Sequence, residues 1–412
     1  MRGRLTCLAL LGLVPAAMPA GGLHVGAGQP HATLRAALAA AQPGDTLHVH
    51  PGIYRESPLV VDKPLTLLGH GRPQLDGEHR SEILIIVASQ VTVRGFDLVR
   101  SGGGSIEDIA GIRVANASHV LLEDNRVRDC SFGLYFSKSR HVAARRNEIT
   151  GSPARNTDNA NGIHAWSCDH VELTHNRVSG HRDGIYLEFV TDSLIDRNHV
   201  EHSQRYGLHF MSAHRNRYRE NTFTANGAGV AVMYSREVEM TGNRFSRSWG
   251  SASYGLLLKD ISDSAIVANT FESNSVAVTI QNSSRLTLAR NRFLQNGWAL
   301  QVDTNCADNT YRTNNFIGNA FDLTAPGALD QNLFEGNYWD KAENYDLNHD
   351  GTGDLPHRPL SLFAMLVDRV PTALLLLRSP LAHFLDRAER IFPSLTPDGL
   401  ADPRPAMRPH PL

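Results

Sequence analysis

The stretch NRVRDCSFGLYFSKSRHVAARRNEIT, residues 125–150, holds one full period of the pattern that decides the fold. It starts at an Asn, passes a Gly followed by an apolar residue, and reaches the next Asn after 22 residues. An Asn with an apolar residue two positions later recurs at Asn125, Asn147, Asn176, Asn198, Asn221, Asn243, Asn269, Asn291, Asn315 and Asn337. A period of this length predicts a solenoid, in which each coil buries its apolar face against its neighbours.

The apolar runs between these Asn residues are too short for helices. Examples are 120–122, 171–173 and 286–288, which are wholly apolar or alternating and rich in β-branched residues. A leucine-rich horseshoe needs a Leu-x-x-Leu-x-Leu frame before its Asn, and that frame is missing. The sequence therefore predicts an all-β fold, a right-handed parallel β-helix of about ten or more coils. Asn tolerates the left-handed backbone of a sharp corner, and its amide can bond to the Asn of the next coil.

The chain divides into four segments. Residues 1–20 have the basic start, apolar run and small residues of an export signal, which predicts a periplasmic protein. Residues 21–111 are assigned to an N-terminal cap and the first coils, and residues 112–340 to the repeat body. Residues 341–412 hold an Asp/Asn/Gly loop and an apolar tail. The 412 residues carry a formal charge of -2, which gives no basic bias toward nucleic acid.

Local signals mark the N-terminal end and the cysteines. Thr33 can cap a short helix within residues 31–41, which we expect to cover the open end of the coil. Strands are predicted at 46–50, 59–61 and 65–69, with a turn at 51–54. Three cysteines lie beyond the signal, at irregular spacing, and we interpret them as buried thiols: Cys130, Cys168 and Cys306.

The strand after each Gly predicts two outward-facing columns of side chains. The residue after the Gly faces the core, and alternation places the next residue and the one two further on outside. The first column is Tyr135, His164, Tyr186, His209, Ala231 and Leu257. The second column is Ser137, Trp166, Glu188, Met211, Met233 and Lys259. Thioether and imidazole side chains suit Cu(I), so we predict a transient copper site formed by His164, Glu188, His209, Met211 and Met233.

Two other interpretations of this face stay open. Met residues also serve adaptable contact surfaces, so the same patch could dock a partner protein. Two enlarged repeats, residues 151–161 and 246–253, precede strands of this face and are expected to flank the patch as loops. A polysaccharide lyase, hydrolase or epimerase is the alternative function, but its chemistry needs clustered carboxylates, and the columns offer Glu188 alone. We therefore predict that the chain has no catalytic site.

The stretch DLNHDGTGD, residues 346–354, has the spacing of a calcium loop. Asp346, Asn348, Asp350 and Asp354 occupy positions 1, 3, 5 and 9, with Gly at position 6. Position 12 is His357 where a bidentate Glu is needed. A weak calcium site and a turn tied by Asx hydrogen bonds are both compatible with this pattern.

Beyond the loop, the tail from Leu360 to Ile391 is apolar but falls short of the ~20 residues of a membrane span. It includes the row 373–377 and a predicted helix at 381–391. The tail either caps the coil or docks on a partner.

Both ends of the chain resemble known families. The start, PGDTLHVHPGIYRE and KPLTLLG, resembles the N-terminal coils of the carbohydrate-binding and sugar-hydrolase β-helix group, a resemblance of fold. The end, GNYWD at 336–340 and the run 345–397 starting YDLNHDGTGDLPHRPLSLF, resembles the C-terminal signature of the NosD family of periplasmic maturation proteins for nitrous oxide reductase.

The NosD resemblance implies a function and a set of partners. It implies an accessory protein at the periplasmic side of an ABC transporter, associated with the membrane through the transporter's membrane and ATPase subunits. A copper chaperone lipoprotein and nitrous oxide reductase are the other implied partners, and copper or sulfur supply to the reductase is the implied task. The resemblance carries no ligand residues, so the copper site above rests on the predicted face alone.

Overall fold

The computed structural model describes residues 22–104, 108–152, 160–303, 305–326, 331–377, 379–380, 384–385, 387–388 and 401–411. The predicted export signal and most of the predicted helix at 381–391 lie outside these residues. The described chain forms three parallel sheets, and each coil adds one strand to each sheet in turn. This is the predicted all-β parallel solenoid. The right-handed sense of the coil stays a prediction.

Sheet A has 14 strands and carries the first strand of the chain. Its strands, from the N-terminal to the C-terminal end of the solenoid, are Gly22–Val25, Thr46–Val49, Thr66–Gly69, Thr92–Arg94, Ser118–Glu123, Arg140–Arg145, Glu172–Thr174, Leu194–Asp196, Arg217–Arg219, Glu239–Thr241, Ser262–Val267, Ser284–Ala289, Thr310–Arg312 and Leu333–Glu335.

Sheet B has 13 short strands. They are Ile53–Tyr54, Gln74–Asp76, Asp97–Val99, Arg126–Arg128, Glu148–Thr150, Arg177–Ser179, His199–Glu201, Thr222–Thr224, Arg244–Ser246, Thr270–Glu272, Arg292–Leu294, Asn315–Ile317 and Tyr338–Trp339. The first of these lies where the sequence predicted part of a turn.

Sheet C has 12 strands and includes the Gly strands of the repeat. They are Leu59–Val61, Leu84–Ile86, Ala110–Ala115, Phe132–Ser137, Asn161–Trp166, Asp183–Glu188, Tyr206–Met211, Ala228–Met233, Tyr254–Lys259, Val276–Gln281, Trp298–Val302 and Phe321–Thr324.

The core runs the length of the solenoid, inside the three sheets. The residues after each Gly are fully buried, as predicted, in a column formed by Leu134, Ile163, Ile185, Leu208, Val230 and Leu256. Aromatic rings stack along the inside of sheet B, from Phe223 to Trp339, with neighbouring centroids 4.0 to 5.6 Å apart. Each coil covers the apolar side chains of the next coil, so the burial of each coil depends on its neighbours.

Asn side chains form a ladder at the corner between sheets A and B. The Asn221 Oδ1 accepts hydrogen bonds from the backbone N–H and the Nδ2 of Asn198, at 2.9 and 3.0 Å. The Asn221 Nδ2 donates to the Ile195 carbonyl and to Asn243 Oδ1, at 2.9 and 3.0 Å. The same arrangement recurs along the chain, so the Asn period is architectural.

Two details of the ladder prediction are wrong. Asn314, and not Asn315, occupies the ladder between Asn291 and Asn337. Asn315 lies in sheet B and bonds instead to the backbone of His410, at 2.9 Å. The left-handed backbone belongs to the residue before each ladder Asn, such as Glu220 with φ 49°. The Asn amide points inward, where it must satisfy buried backbone groups.

Caps close both ends of the solenoid. Helix α1, Leu34–Ala40, starts at Thr33, whose hydroxyl accepts from the Ala36 N–H at 3.2 Å, as predicted. At the other end Asp402 takes the place of the next ladder Asn. Its carboxylate accepts from Asn337 N and Nδ2, at 2.8 and 2.9 Å, and from Trp339 Nε1 at 3.2 Å. The segment 401–411 thus completes a ladder that would otherwise end in unsatisfied groups.

The apolar tail is divided between a buried and an exposed part. Helix α2, Leu362–Arg369, packs Phe363, Ala364 and Val367 against Phe321 in the last strand of sheet C. The following 3₁₀ helix, Pro371–Leu376, instead leaves Leu374, Leu375 and Leu376 in contact with solvent. Every helix in the described part of the chain is too short or too polar to cross a bilayer.

Candidate functional site

The two predicted columns exist on the outer side of sheet C. Neighbouring strands pair in register, so that Tyr135, His164, Tyr186, His209, Ala231 and Leu257 are adjacent along the first column. The second column is likewise Ser137, Trp166, Glu188, Met211, Met233 and Lys259. The register prediction is therefore confirmed from strand to strand.

The first column is shielded from water except at Tyr186, which is half-exposed, and this corrects the expectation of an exposed face. His164 is 8% exposed and His209 is 7% exposed. Residues that lead into the strands fold over the column and cover it. The Phe132 ring lies 5.5 Å from that of His164, and the Tyr206 ring lies 4.9 Å from that of His209. The column is therefore an aromatic layer outside the sheet.

Within this layer the rings stack on one another. Tyr186 lies between the two histidines, with its ring centroid 4.8 Å from His164 and 4.6 Å from His209. The layer lowers the pKa of His164 to about 4, because burial disfavours the charged imidazolium and the Arg182 charge adds to this. Burial likewise raises the pKa of Tyr186 to about 12. Both groups are thus neutral at neutral pH.

His209 faces a buried carboxylate that sequence reasoning missed. Its Nδ1 lies 3.5 Å from Asp183 Oδ2, and the Arg205 guanidinium bonds to the same carboxylate. Burial alone would raise the pKa of Asp183, but hydrogen bonds from His209 and Arg205 outweigh it and the pKa falls. The other ring nitrogen, His209 Nε2, is buried and has no hydrogen-bond partner among the described residues.

Asp183 escaped the prediction because the alternation of side chains breaks at the Gly. A Cβ on Gly184 would lie 2.2 Å from Val200 Cγ1, so this position faces the packed interior. The next residue, Ile185, also faces the core. Two consecutive inward positions place the residue before the Gly on the outside. Once this break is known, the residue before each Gly can be assigned to the outer side, but the break itself follows from packing and not from the sequence period.

The second column is half-exposed and carries the two predicted thioether ligands. Glu188, Met211 and Met233 lie in consecutive strands, each paired with the next, about 4.8 Å apart as parallel strands require. His209 is two residues from Met211 on the same strand, but its ring is engaged in the aromatic layer. His164 lies two strands away from Met211, on the other side of the strand that carries Tyr186. The structure thus groups three of the five predicted ligands and separates the two histidines from them.

The flanking loops are described in part. Residues 153–159 of the first enlarged repeat lie outside the described residues. The second enlarged repeat precedes the strand Tyr254–Lys259, and its Trp249 is 60% exposed. The strands that follow the two enlarged repeats are separated by three strands of sheet C.

The Asp/Asn/Gly loop uses its side chains to bind its own backbone. Asp346 accepts from the N–H groups of Asp350 and Gly351, at 3.0 and 2.8 Å. Asn348 also accepts from Asp350 N at 3.1 Å, and Asp354 accepts from Leu347 N at 2.8 Å. These are the bonds of the Asx-turn alternative. Within the described ranges, no three His, Cys, Asp or Glu side chains are placed to hold a metal ion.

Position 12 of this loop points away from it. His357 is half-buried, with its ring 5.2 Å from that of Trp339, and burial lowers its pKa to about 4. The calcium prediction for Asp346, Asn348, Asp350 and Asp354 thus has no support from the ligand arrangement. The three cysteines Cys130, Cys168 and Cys306 are buried, as predicted.

Comparison with solved structures shows the fold. The mannuronan C-5 epimerase AlgE4 A-module of Azotobacter vinelandii superposes with a TM-score of 0.62 at 13% identity, covering 73% of this chain and 94% of the epimerase module. A GH87 α-1,3-glucanase catalytic unit of Streptomyces thermodiastaticus has a TM-score of 0.59 at 16% identity, covering 79% of this chain and 70% of the glucanase chain. At such identities the likeness concerns the β-helix and not its chemistry.

Comparison of sequences shows the family. A family model described as "Periplasmic copper-binding protein (NosD)" matches residues 145–349. The "Probable ABC transporter binding protein NosD" of Pseudomonas aeruginosa is 30% identical over 368 residues, 85% of each chain. The protein of the same name from Stutzerimonas stutzeri is 28% identical over 369 residues, 85% of this chain and 84% of the other. Both names describe a binding protein and not an enzyme, in agreement with the prediction that this chain is an accessory protein. The chain belongs to the NosD family.

Proposed function

We propose that this chain is a periplasmic accessory protein for assembly of the copper centres of nitrous oxide reductase. It would work with the membrane and ATPase subunits of an ABC transporter and with a copper chaperone lipoprotein, in copper delivery, sulfur supply or both. The observation that carries the proposal is the match along 85% of the chain to relatives named as ABC transporter binding proteins. The description of the family as periplasmic and copper-binding supports it further.

The architecture suits a protein that transmits force or presents a surface. From Asn125 to Asp402 the ladder hydrogen bonds join each coil to the next, and a continuous core runs through the described coils, which favours a rigid solenoid. The exposed row Leu374–Leu376 stands at its C-terminal end, beside the cap formed by α2. In this proposal the row docks on the transporter, because an exposed apolar row next to a rigid cap favours contact with a partner over contact with water.

A deletion strain tests the proposed task. Without this protein, nitrous oxide reductase should be exported but should lack its catalytic copper-sulfur centre, which metal and sulfur analysis of the purified reductase would detect. Re-expression of the chain should restore the centre. A fully assembled centre in the deletion strain would refute the proposal.

For copper itself, we propose a transient Cu(I) site on the second column, with Met211 and Met233 as its sulfur ligands and Glu188 beside them. Consecutive strands hold the two sulfur side chains next to each other, and both are half-exposed, so an ion can enter and leave. His209 and His164 remain candidate nitrogen ligands only if the aromatic layer opens. Its tight stacking makes them the weaker part of the predicted set.

The double substitution Met211→Leu with Met233→Leu tests the site. It keeps the apolar area and removes both sulfurs, so a docking surface would survive and a copper site would not. We expect the Cu(I) affinity, measured by competition with a chromophoric chelator, to fall. Met365→Leu, in helix α2, removes a thioether outside the column and serves as the control. An unchanged affinity in the double variant would leave the patch as a docking surface at most.

A further inference from the structure

Four histidines meet on the outer surface of the first three coils, at the N-terminal end of sheet A. His24 and His48 are register partners in the first two strands. His50 and His70 each directly follow a strand, and the residues before them, Val49 and Gly69, are register partners. Two columns of two histidines therefore lie side by side. Elements of three different coils are needed to build this group, which the sequence period did not reveal.

The four rings form a closed quadrilateral. The ring centroids are 4.9 Å apart for His24 and His48, 5.2 Å for His48 and His70, 5.6 Å for His50 and His70, and 5.3 Å for His24 and His50. Two pairs of nitrogens are also in contact. His24 Nδ1 lies 3.0 Å from His50 Nε2, and His48 Nδ1 lies 3.0 Å from His70 Nε2.

These separations are close to those of a tetrahedral metal site. With metal–nitrogen bonds of about 2.0 Å, two imidazole nitrogens on one ion lie roughly 3.3 Å apart and their ring centroids roughly 5 Å apart. We propose that His24, His48, His50 and His70 bind one divalent transition-metal ion of the class that prefers imidazole, Cu²⁺ or Zn²⁺. Each contacting nitrogen pair would supply two of its four ligands.

Binding requires small movements that the surface allows. Among the described residues, no three of these imidazole rings are oriented toward a common point. The rings must therefore rotate about their side-chain torsions before they can bind one ion. His24 and His70 are exposed and His48 and His50 are half-buried, so the rings have room to turn while the strands hold their Cα atoms. The hydrogen that each pair now shares must leave the contact, since a metal binds the neutral lone pairs.

A second group of histidines in this protein has stacked rings but lacks the arrangement of a metal site. His119, His141 and His170 stack along a single line, with centroids 4.8 and 4.7 Å apart. A single line of stacked rings spaces its nitrogens along one direction and cannot surround an ion. The quadrilateral differs because it joins two such lines through nitrogen contacts.

The inference does not rest on the proposed function. The quartet lies in coils that precede the residues 145–349 matched by the family model, and none of its members belongs to the Met211 and Met233 column. The site would exist whether or not the protein serves a reductase.

The experiment titrates the full mature chain, without an affinity tag, with Cu²⁺ alone and with Zn²⁺ alone, by calorimetry. One equivalent should bind, and the Cu²⁺ complex should show nitrogen hyperfine structure from at least three imidazoles in its electron paramagnetic resonance spectrum. His48→Asn with His50→Asn removes one ligand from each contacting pair. Its affinity should fall by more than about 100-fold, since loss of an outer-shell partner alone costs up to that amount.

Two control variants make the outcome specific. His119→Asn with His141→Asn should bind as the original chain does, because it removes stacked histidines outside the quartet. Met211→Leu with Met233→Leu should also keep this equivalent, so that failure of the Cu(I) site and failure of the quartet can be told apart. Equal affinities for the His48/His50 variant and the original chain, with both folded by circular dichroism, would overturn the proposal. The proposal would also be overturned if the original chain bound neither Cu²⁺ nor Zn²⁺ at micromolar concentration.

Discussion

At the scale of single residues, the ladder Asn shows how one side chain serves three coils. The Asn221 amide makes hydrogen bonds to groups of the coil before it and of the coil after it. The Asn198 N–H and the Ile195 carbonyl are buried and have this side chain as their partner. An Asn is suited to this place because its amide both donates and accepts within one short side chain.

We predict that Asn221→Ala destabilises the protein by about 3 kcal/mol or more, because an unsatisfied buried donor or acceptor costs about 1 to 3 kcal/mol. The measurement is the urea midpoint followed by circular dichroism. Asn282→Gly is the control: Asn282 is exposed, bonds to the Asp260 side chain and has φ 44°, which Gly adopts without strain, so its loss should cost less than about 1 kcal/mol. Equal shifts for the two variants would show that the ladder bonds add little to stability.

At the scale of elements, the apolar tail has a buried part and an exposed part, which correspond to the cap and the docking surface that the sequence left as alternatives. Helix α2 is a cap, since Val367 and its neighbours cover Phe321. The 3₁₀ helix after it is an exposed row. Removal of everything beyond Asp354 would therefore strip the α2 cap and the Asp402 end of the ladder together. A truncation is for this reason a poorer test of docking than a single substitution.

We predict opposite outcomes for one substitution at two places in the tail. Val367 is 5% exposed, so Val367→Asp buries a charge and should lower the melting temperature. Leu375 is 90% exposed, so Leu375→Asp should leave the melting temperature unchanged but reduce co-purification with the transporter. Full recovery of the transporter with the Leu375 variant would place the docking surface elsewhere.

At the scale of the whole molecule, burial of histidines makes the fold sensitive to acid. Burial lowers the pKa of His164, His181 and His357 to about 4, from an unfolded value of 6.5. Between these two values the unfolded chain binds protons that the native chain does not. The free energy of unfolding must then rise with pH across this window and fall as the solution is acidified.

We predict that stability is highest above pH 6.5 and decreases steadily toward pH 4, by up to about 3 kcal/mol for each such histidine. His164→Phe keeps a ring in the aromatic layer and removes the titrating group, so the slope should become shallower. His119→Phe, at an exposed position, should leave the slope unchanged. Urea midpoints at a series of pH values measure how the free energy of unfolding depends on pH. A constant midpoint from pH 7 to 4.5 would contradict the prediction.

The sequence by itself determined the solenoid, the inward columns, the N-terminal cap and the strand register of the outer face. These follow from local spacing, because a parallel coil repeats its own period and places equal positions side by side. For the same reason Met211 and Met233 could be predicted as neighbours. The resemblance of the C-terminal run to the NosD family was likewise present in the residues alone.

Tertiary structure alone decided which outward residues reach water. The aromatic layer over His164 and His209 includes Phe132 and Tyr206, which begin strands of sheet C, and the break at each Gly is a matter of packing against the core. Asp402 joins the Asn ladder across 65 positions of sequence. The histidine quartet also depends on contacts between coils. Such contacts depend on volumes and side-chain directions in three dimensions, which a one-dimensional period does not specify.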